Sequence, residues 1–136
     1  MKKSLTIAAG LLAASLAPAP LAADDHEMSR GEAKLADMLE GRVAGEPTNC
    51  IRTIGSRNIQ QIDETALVYR DGNTIWVNYT RTPESIDDDD VMVIRRFGTS
   101  QLCRSDQITT IDRFAGFLTG FIMLDEFVPY TKVDEG

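Results

Sequence analysis

The 136-residue chain contains one histidine, His26, and only two cysteines, Cys50 and Cys103. A Ser–His–Asp triad, an HExxH zinc site and a histidine general base each need a histidine inside the folded domain, and no histidine follows position 26. The cysteines are too far apart for a CxxC motif, so thioredoxin-like redox chemistry is excluded. The glycines form neither a GxxxxGKS/T loop nor a GxGxxG turn, so nucleotide binding has no support. These absences leave no catalytic residue and no cofactor to assign.

A long hydrophobic segment occurs only near the N-terminus. Two lysines precede an apolar stretch over residues 5–16, and a Pro/Ala-rich region then ends at Ala23, before two aspartates. This pattern is typical of a secretory signal peptide over residues 1–23. Cleavage after Ala23 fits better than cleavage after Ala22, since the latter would place a proline where a small residue is required. We therefore expect general secretion to the periplasm or out of the cell.

Positive charge is scarce in the rest of the chain. Removing the signal peptide leaves 113 residues and shifts the formal charge from −7 to −9, because two lysines and no acid are lost. An acidic field of this size repels phosphate backbones, so we expect no nucleic-acid partner. The longest later apolar run, residues 114–124, is about half a bilayer span, so no transmembrane segment is expected after the signal peptide. A periplasmic protein is the partner class left open.

Cys50 and Cys103 predict one disulfide, because an exported chain meets an oxidising compartment. Closing a loop of about fifty residues contributes roughly 4 kcal/mol in the chain-entropy account. The competing interpretation is two free thiols, one of them a nucleophile. That alternative would need the tail to fold back and place His26 beside a cysteine.

The patterning predicts an α+β fold that is mainly antiparallel β, in one small disulfide-stapled domain. Ser29 and Glu32 form a capping-box pattern, and apolar residues then recur at helical spacing, which predicts a short helix over residues 30–40. From Cys50 onward the apolar residues follow period two, which is typical of strands. The first strands are predicted over residues 59–62, 65–70 and 74–80.

Residues 71–73, Asp-Gly-Asn, mark a hairpin between the last two of these strands. A three-residue loop would pair Arg70 with Thr74 and gather the apolar side chains of both strands on one face, whereas a two-residue loop would split them between faces. The side chains concerned are Leu67, Tyr69, Ile75 and Val77. We therefore predict the three-residue loop.

The later part of the chain alternates loops and short strands. Residues 82–90 contain a proline, a serine and four consecutive acids, so we expect a solvated loop there. Residues 112–121 fit either a helix or a loop, because their glycines weaken both assignments. Further strands are predicted over residues 91–97, 101–103, 108–111 and 122–128, the last of them closed by Pro129. The predicted organisation is a signal peptide over 1–23, an N-terminal tail with the short helix over 24–42, and a single β-rich domain over 43–136.

Several short motifs resemble one family. They are Asn49-Cys50-Ile51, Asp63, the run Leu102-Cys103-Arg104-Ser105-Asp106-Gln107-Ile108 with Asp112 and Gly116 behind it, and Phe127-Val128-Pro129. Together they resemble domain-of-unknown-function family 6491, a set of small exported bacterial proteins, over roughly residues 41–130. The resemblance implies a compact, cysteine-framed exported domain and carries no activity with it.

The chain departs from that family at one feature. Members often have a second cysteine pair, and here Glu84 or a near neighbour and Ile122 occupy those positions. The resemblance therefore implies that residues 83–86 and Ile122 are neighbours in space although no bond joins them.

Carboxylate chemistry is the enzymatic option that the composition leaves. Asp63, Asp106, Asp112 and Glu126 are isolated acids in structured contexts, and two of them could converge as acid and base of a hydrolase. The alternative is structural, since Asp106 resembles a capping group and Asp63 a turn residue before a strand. The four acids at residues 87–90 lack the alternating ligands and glycine of a calcium loop, which favours a solvated loop.

Trp76 and His26 are the remaining candidate binding residues. Trp76 falls among polar neighbours on its strand, where it is either an exposed binding aromatic or partly buried under a loop. If the signal peptide is cut after Ala23, the mature chain begins Asp24-Asp25-His26. A free amine, two backbone amide nitrogens and an imidazole at the third residue resemble the amino-terminal Cu(II)/Ni(II)-binding motif. The alternative is a histidine at that position by chance.

The sequence as a whole favours an exported, non-catalytic binding or accessory module. The alternatives are an N-terminal Cu(II)/Ni(II)-binding protein and a carboxylate-dependent hydrolase. A cleft that brings together two of the candidate acids would favour the hydrolase, while a flat apolar patch around Trp76 would favour the binding module.

Overall fold

A computed structural model describes residues 26–53, 59–96 and 100–134 of the chain. These residues form one α-helix, ten β-strands and a short 3₁₀ helix, so the predicted fold class is confirmed. The elements in order are α1 (Arg30–Leu39), β1 (Arg42–Ala44), β2 (Cys50–Arg52), β3 (Ile59–Ile62), β4 (Ala66–Asp71), β5 (Thr74–Asn78), the 3₁₀ helix (Pro83–Ser85), β6 (Val91–Arg95), β7 (Gln101–Cys103), β8 (Gln107–Ile111), β9 (Leu118–Met123) and β10 (Phe127–Lys132). No helix in these described ranges is long and apolar enough to cross a membrane.

The helix begins where the capping box predicts. The Ser29 hydroxyl accepts a hydrogen bond from the Glu32 amide at 3.1 Å, and the Glu32 carboxylate accepts one from the Ser29 amide at 2.7 Å. These bonds satisfy amide groups that the first helical turn otherwise leaves unpaired. Leu35 is buried against the largest sheet, and Met38 and Leu39 pack beside it. The helix is thus held both by its cap and by one apolar face.

Three antiparallel sheets make up the rest of the fold. A five-stranded sheet has the order β1-β10-β5-β4-β3, a three-stranded sheet has the order β6-β8-β9, and β2 pairs with β7. One hydrophobic cluster joins α1 to one face of the five-stranded sheet. A second cluster joins the opposite face to side chains of the two smaller sheets. The domain therefore has three layers, with the five-stranded sheet in the middle.

The β4–β5 hairpin has a two-residue loop, so the predicted three-residue loop is wrong. Asp71 pairs with Thr74, and Gly72 takes a φ of 57°, which glycine adopts without strain. The prediction assumed that the apolar side chains collect on one face. In the structure both faces are buried: Leu67 and Tyr69 belong to one cluster and Val68 and Val77 to the other. Because the hairpin has no polar face, the alternation of polar and apolar residues in its sequence cannot determine which residues of β4 and β5 pair.

The C-terminal strand also differs from the prediction of a strand over residues 122–128 that ends at Pro129. The chain instead forms β9 and then β10, which passes through Pro129. The Pro129 carbonyl accepts a hydrogen bond from the Gly45 amide at 2.7 Å, so the proline nitrogen also faces that side and not β5. Because β1 has already ended at Ala44, the amide hydrogen that proline lacks is not needed for a hydrogen bond between β10 and β1.

The break between β9 and β10 is fixed by Asn78. This residue is fully buried at the end of β5. Its side-chain amide donates to the Asp125 carbonyl at 2.6 Å and accepts from the Asp125 amide at 3.0 Å. The Asn78 side chain therefore bonds to the Asp125 backbone groups that would otherwise pair with a neighbouring strand if β9 and β10 were continuous.

The predicted solvated loop over residues 82–90 is correct for its acids and wrong for Ile86. The side chains at positions 87–89 are exposed. Ile86 is 1% exposed and belongs to the cluster between the sheets. The Ile86 carbonyl accepts a hydrogen bond from the Glu64 amide at 2.9 Å. The segment is therefore anchored to the core by one apolar side chain.

The 3₁₀ helix over Pro83–Ser85 packs against β9, the strand that contains Ile122. The Thr82 hydroxyl accepts a hydrogen bond from the Met123 amide at 3.0 Å, beside Ile122. Ile86 and Ile122 belong to the same hydrophobic cluster.

Cys50 and Cys103 are bonded, at an S–S distance of 2.06 Å, which confirms the predicted disulfide. They lie directly opposite each other where β2 pairs with β7. The bond closes a loop with a sequence separation of 53 residues.

We expect reduction of this disulfide to lower the free energy of unfolding by about 4 kcal/mol, because it frees the long loop in the unfolded state. Urea unfolding with and without a dithiol reductant measures the change, and the Cys50→Ser/Cys103→Ser variant is the control that reductant should not affect. An unchanged midpoint on reduction would contradict the stabilising role.

Gly31 marks the closest approach of α1 to the turn between β3 and β4. A Cβ built on Gly31 would lie 2.1 Å from the Thr65 hydroxyl oxygen and 2.3 Å from the Asp63 carbonyl oxygen. We expect Gly31→Ala to destabilise the protein by about 1 to 3 kcal/mol through overpacking, although alanine favours a helix by about 1 kcal/mol. Thermal unfolding compared with the control Ala33→Gly, at an exposed helix position, measures both effects. A more stable Gly31→Ala variant would show that α1 does not dock this closely.

Candidate functional site

The outward side of the three-stranded sheet carries an exposed apolar surface. Along β6 and β9, alternate residues point to opposite sides of the sheet. The inward ones, including Ile108 and Ile122, are buried in the core. The outward ones define what we call the outer sheet face: Val91, Val93 and Arg95 on β6, Gln107, Thr109 and Ile111 on β8, and Phe121 and Met123 on β9. Of these, Val91, Phe121 and Met123 are exposed hydrophobic side chains.

A loop at one end of this sheet, residues 112–117, extends the apolar surface and is called the aromatic loop below. The Asp112 carboxylate accepts hydrogen bonds from the Phe114 amide at 2.9 Å and from the Ala115 amide. The Asp112 amide donates to the Phe117 carbonyl at 2.9 Å. Phe114 is 95% exposed, Phe117 59% and Leu118 54%. The turn thus holds two phenyl rings in solvent, and Leu118 continues the exposed apolar surface at the start of β9.

The four acids at residues 87–90 lie beside the aromatic loop. The Arg113 Nε donates a hydrogen bond to the Asp89 carbonyl at 2.9 Å. The Thr119 hydroxyl donates to the Asp90 carboxylate. The pairing of Val91 with Ile111 places the start of β6 at the same end of the sheet. The apolar surface therefore has an acidic border.

Two of the candidate acids hold the backbone of their own loops. The Asp106 carboxylate, nearly buried, accepts a hydrogen bond from the Cys103 amide at 2.7 Å. Asp112 closes the aromatic loop as described. Glu126 lies 3.8 Å from an Arg104 nitrogen, between half-exposed side chains. These contacts fit the capping and turn interpretations, since each carboxylate already has a backbone or charged neighbour.

Asp63 lies with different acids. Oxygen atoms of Asp63, Asp87 and Asp88 are all within 4.8 Å of one another, and the three residues are exposed. Asp87 also accepts a hydrogen bond from the Asp89 amide at 2.9 Å. Among the described residues, no group of three acids, histidines or cysteines this close together includes Asp106 or Asp112. The structure therefore does not gather three of the predicted acids into one site.

Trp76 is half-buried and packs against the cluster between the sheets. It pairs with Tyr69 on one side and with Pro129 on the other. The exposed apolar surface is accordingly not around Trp76 but on the outer sheet face and the aromatic loop.

His26 lies at the beginning of the described residues, and Asp24 and Asp25 lie outside them. The His26 side chain is 83% exposed, and its Nε2 is 3.8 Å from a Glu32 carboxylate oxygen. The backbone hydrogen bond from Ser29, followed by the hydrogen bond with the Ser29 side chain, lowers the pKa of Glu32, and the nearby His26 adds a smaller effect in the same direction. These contacts belong to the helix cap.

Two of the clefts on the described surface have volumes of about 480 and 500 Å³. One, of about 480 Å³, is lined by the apolar face of α1 together with Tyr79 and Pro83. At its border the hydroxyls of Tyr79 and Tyr130 are 2.5 Å apart. The other, of about 500 Å³, lies between Arg104 and the β9 side chains. Both are wide open, and neither contains two of the predicted acids.

In comparisons with family models, with curated proteins and with solved structures, the chain matches none of them. The resemblance to family 6491 therefore stays a prediction, and the site has to be interpreted from its own geometry.

The aromatic loop is absent from the binding residues that the sequence predicts. A signal was available, because three of the five phenylalanines of the chain, Phe114, Phe117 and Phe121, fall within eight residues. Because residues 112–121 fit either a helix or a loop, this cluster of phenylalanines does not predict an exposed surface. Whether these rings face the core or solvent depends on the Asp112 turn and on the pairing of β8 with β9.

Burial, followed by the hydrogen bond with Tyr130, raises the pKa of Tyr79 above its usual value of 10. Above about pH 10 the unfolded chain then loses a proton that the folded protein keeps, so stability should fall as the pH rises further. We expect Tyr130→Phe to lower the pKa of Tyr79 and reduce this alkaline loss. Phenolate absorbance and unfolding midpoints across the alkaline range measure both. Equal titration of Tyr79 in the two proteins would contradict the role of the hydroxyl pair.

Proposed function

We propose that this protein is an exported, non-catalytic binding module that docks a partner protein through the outer sheet face and the aromatic loop. The observation that carries the proposal is the exposure of Phe114 and Phe117 on a loop that internal hydrogen bonds hold in place, next to the exposed Leu118 at the start of β9. Ordered apolar side chains in solvent reduce solubility unless a partner covers them, and large exposed patches commonly mark interaction sites. Aromatic side chains are also the residues that most often dominate binding energy.

The acidic border defines the chemistry of the partner. Asp88 and Asp89 are exposed next to the aromatic loop. A matching surface would offer an apolar pocket for the phenyl rings, bordered by lysine or arginine side chains. Rim charges of this kind raise the association rate and make it sensitive to salt, while the buried rings determine the dissociation rate.

The placement of the candidate acids supports binding over catalysis. Acid–base hydrolysis needs two carboxyl groups that face one substrate bond. Asp106 and Asp112 each accept backbone hydrogen bonds within their own turns. The carboxylates that do lie together, those of Asp63, Asp87 and Asp88, are on an exposed loop surface.

Export is part of the proposal and rests on two features. The signal-peptide pattern over residues 1–23 predicts secretion. The disulfide between Cys50 and Cys103 fits an oxidising compartment outside the cytosol.

The test compares two exposed apolar sites on the same protein. Periplasmic extract is passed over the mature chain, the retained protein is purified, and its Kd is measured with the isolated pair. We expect Phe114→Ser/Phe117→Ser to weaken binding at least tenfold, because each buried ring contributes about 2 kcal/mol at the centre of an interface. The matched control Val43→Ser removes an exposed apolar side chain on β1 of another sheet and should leave the Kd unchanged.

Salt dependence provides a second readout, because screening should slow association if the acidic border meets basic side chains. The proposal is wrong if no protein binds the isolated chain, or if the double variant and the Val43 control bind equally well while both remain folded.

A further inference from the structure

Strand β6 is an edge strand whose outward backbone groups can be identified. On β9, the Met123 amide and carbonyl bond to residues 81 and 82, so they face away from β8. The amides and carbonyls of successive residues point to opposite sides of an antiparallel strand. Those of Ile122 therefore point toward β8 and bond to Ile108. The amide and carbonyl of Thr109, the next residue on β8, then point toward β6.

The same alternation continues across β6. Val93, opposite Thr109, directs its amide and carbonyl toward β8, and Met92 and Ile94 direct theirs to the free edge. The Asp90 carbonyl, which has the same orientation, accepts a hydrogen bond from the Gln61 side chain at 2.9 Å. Within the described ranges, the amides and carbonyls of Met92 and Ile94 have no partner. Unpaired groups on an apolar edge strand are a template for another strand.

The charges around this edge are arranged with opposite signs at its two ends. The acids of residues 87–90 precede β6, and Arg95 and Arg96 end it. The best partner would be an antiparallel strand that places basic residues next to the acids before β6 and acidic residues next to Arg95 and Arg96. A second β6 in antiparallel orientation has that pattern, because its Arg95 and Arg96 come next to the first copy's acids.

We propose that two copies of this chain form a dimer by pairing their β6 strands antiparallel about Val93. In this register Met92 of each copy lies opposite Ile94 of the other, so the unpaired amides and carbonyls bond to one another. Val93 of the two copies meets across the two-fold axis, on the outer sheet face. Such a contact is self-complementary and closed, as a two-fold interface requires.

The net negative charge of the protein makes the opposite charges at the two ends of β6 essential for pairing two copies. Two mature chains of charge −9 repel each other at long range. A stable contact between them therefore has to place opposite charges close together, which the ends of β6 do twice in one dimer. A parallel arrangement would instead bring the acids of both copies together, which is unfavourable.

The dimer goes beyond the proposed function and does not depend on it. It would join two three-stranded sheets into one six-stranded sheet and make their outer faces continuous. It leaves the aromatic loops free, because these lie on the β8–β9 connection and not on the β6 edge.

Charge reversal provides the experiment. One variant reverses the basic end, Arg95→Asp/Arg96→Asp, and a second reverses the acidic end, Asp88→Lys/Asp89→Lys. The control Arg70→Asp/Lys132→Asp reverses two exposed charges on other strands. Sedimentation velocity over a range of concentrations measures the mass of each mature protein and of an equal mixture of the first two.

We expect the natural chain and the control to form dimers, and each β6 variant alone to stay monomeric, since like charges then face each other. The mixture should restore a dimer containing one chain of each kind, because its ends are again complementary. A natural chain that is monomeric at every concentration overturns the proposal, as does dimerisation of the single variants or failure of the mixture to associate. Circular dichroism checks that each variant is folded. The Kd measurement with the Phe114→Ser/Phe117→Ser variant tests the proposed function whether or not the chain dimerises.

Discussion

Burial of both faces of the β4–β5 hairpin is the constraint on which the rest of the structure depends. Successive residues such as Val68 and Tyr69 point in opposite directions, and both are removed from water. A strand of this kind needs a layer on each side. The apolar face of α1 supplies one layer, and the two smaller sheets supply the other. Gly31 permits the close approach of the helix, and the disulfide links the short strands β2 and β7 that complete the second layer.

The three-layer arrangement also decides which surface is left uncovered. The inward side chains of the three-stranded sheet fill the core against the hairpin, while three hydrophobic side chains of its outer face are exposed. That face carries Phe121 and Met123 and continues into the aromatic loop. The same sheet ends at β6, whose edge has unpaired backbone groups. Partner binding is therefore inferred from the outer face with the aromatic loop and self-association from the β6 edge, and the acids at residues 87–90 lie next to both.

The sequence predicts well the features that depend on neighbouring residues or on the compartment. The capping box of Ser29 and Glu32 locates the helix, the strand over residues 101–103 has its predicted bounds, and the expectation of export leads to the correct disulfide. The failures all depend on distant contacts. Pro129 lies inside a strand because β1 ends beside it, and the hairpin loop is shorter because both faces are buried. Exposure of Phe114 likewise depends on how β8 pairs with β9, which no local pattern reports.

The central claim, that the hairpin is buried on both faces, is tested most directly by its register in solution. In the observed pairing Val68 lies opposite Val77 with their α-carbons close, because Trp76 and Tyr69 share the backbone hydrogen bonds. Nuclear Overhauser effects between α-protons measure this distance. We predict a strong cross-peak between the α-protons of Val68 and Val77. Cross-peaks that place Leu67 opposite Val77 would instead show the three-residue loop, with the apolar side chains gathered on one face, and would contradict the account.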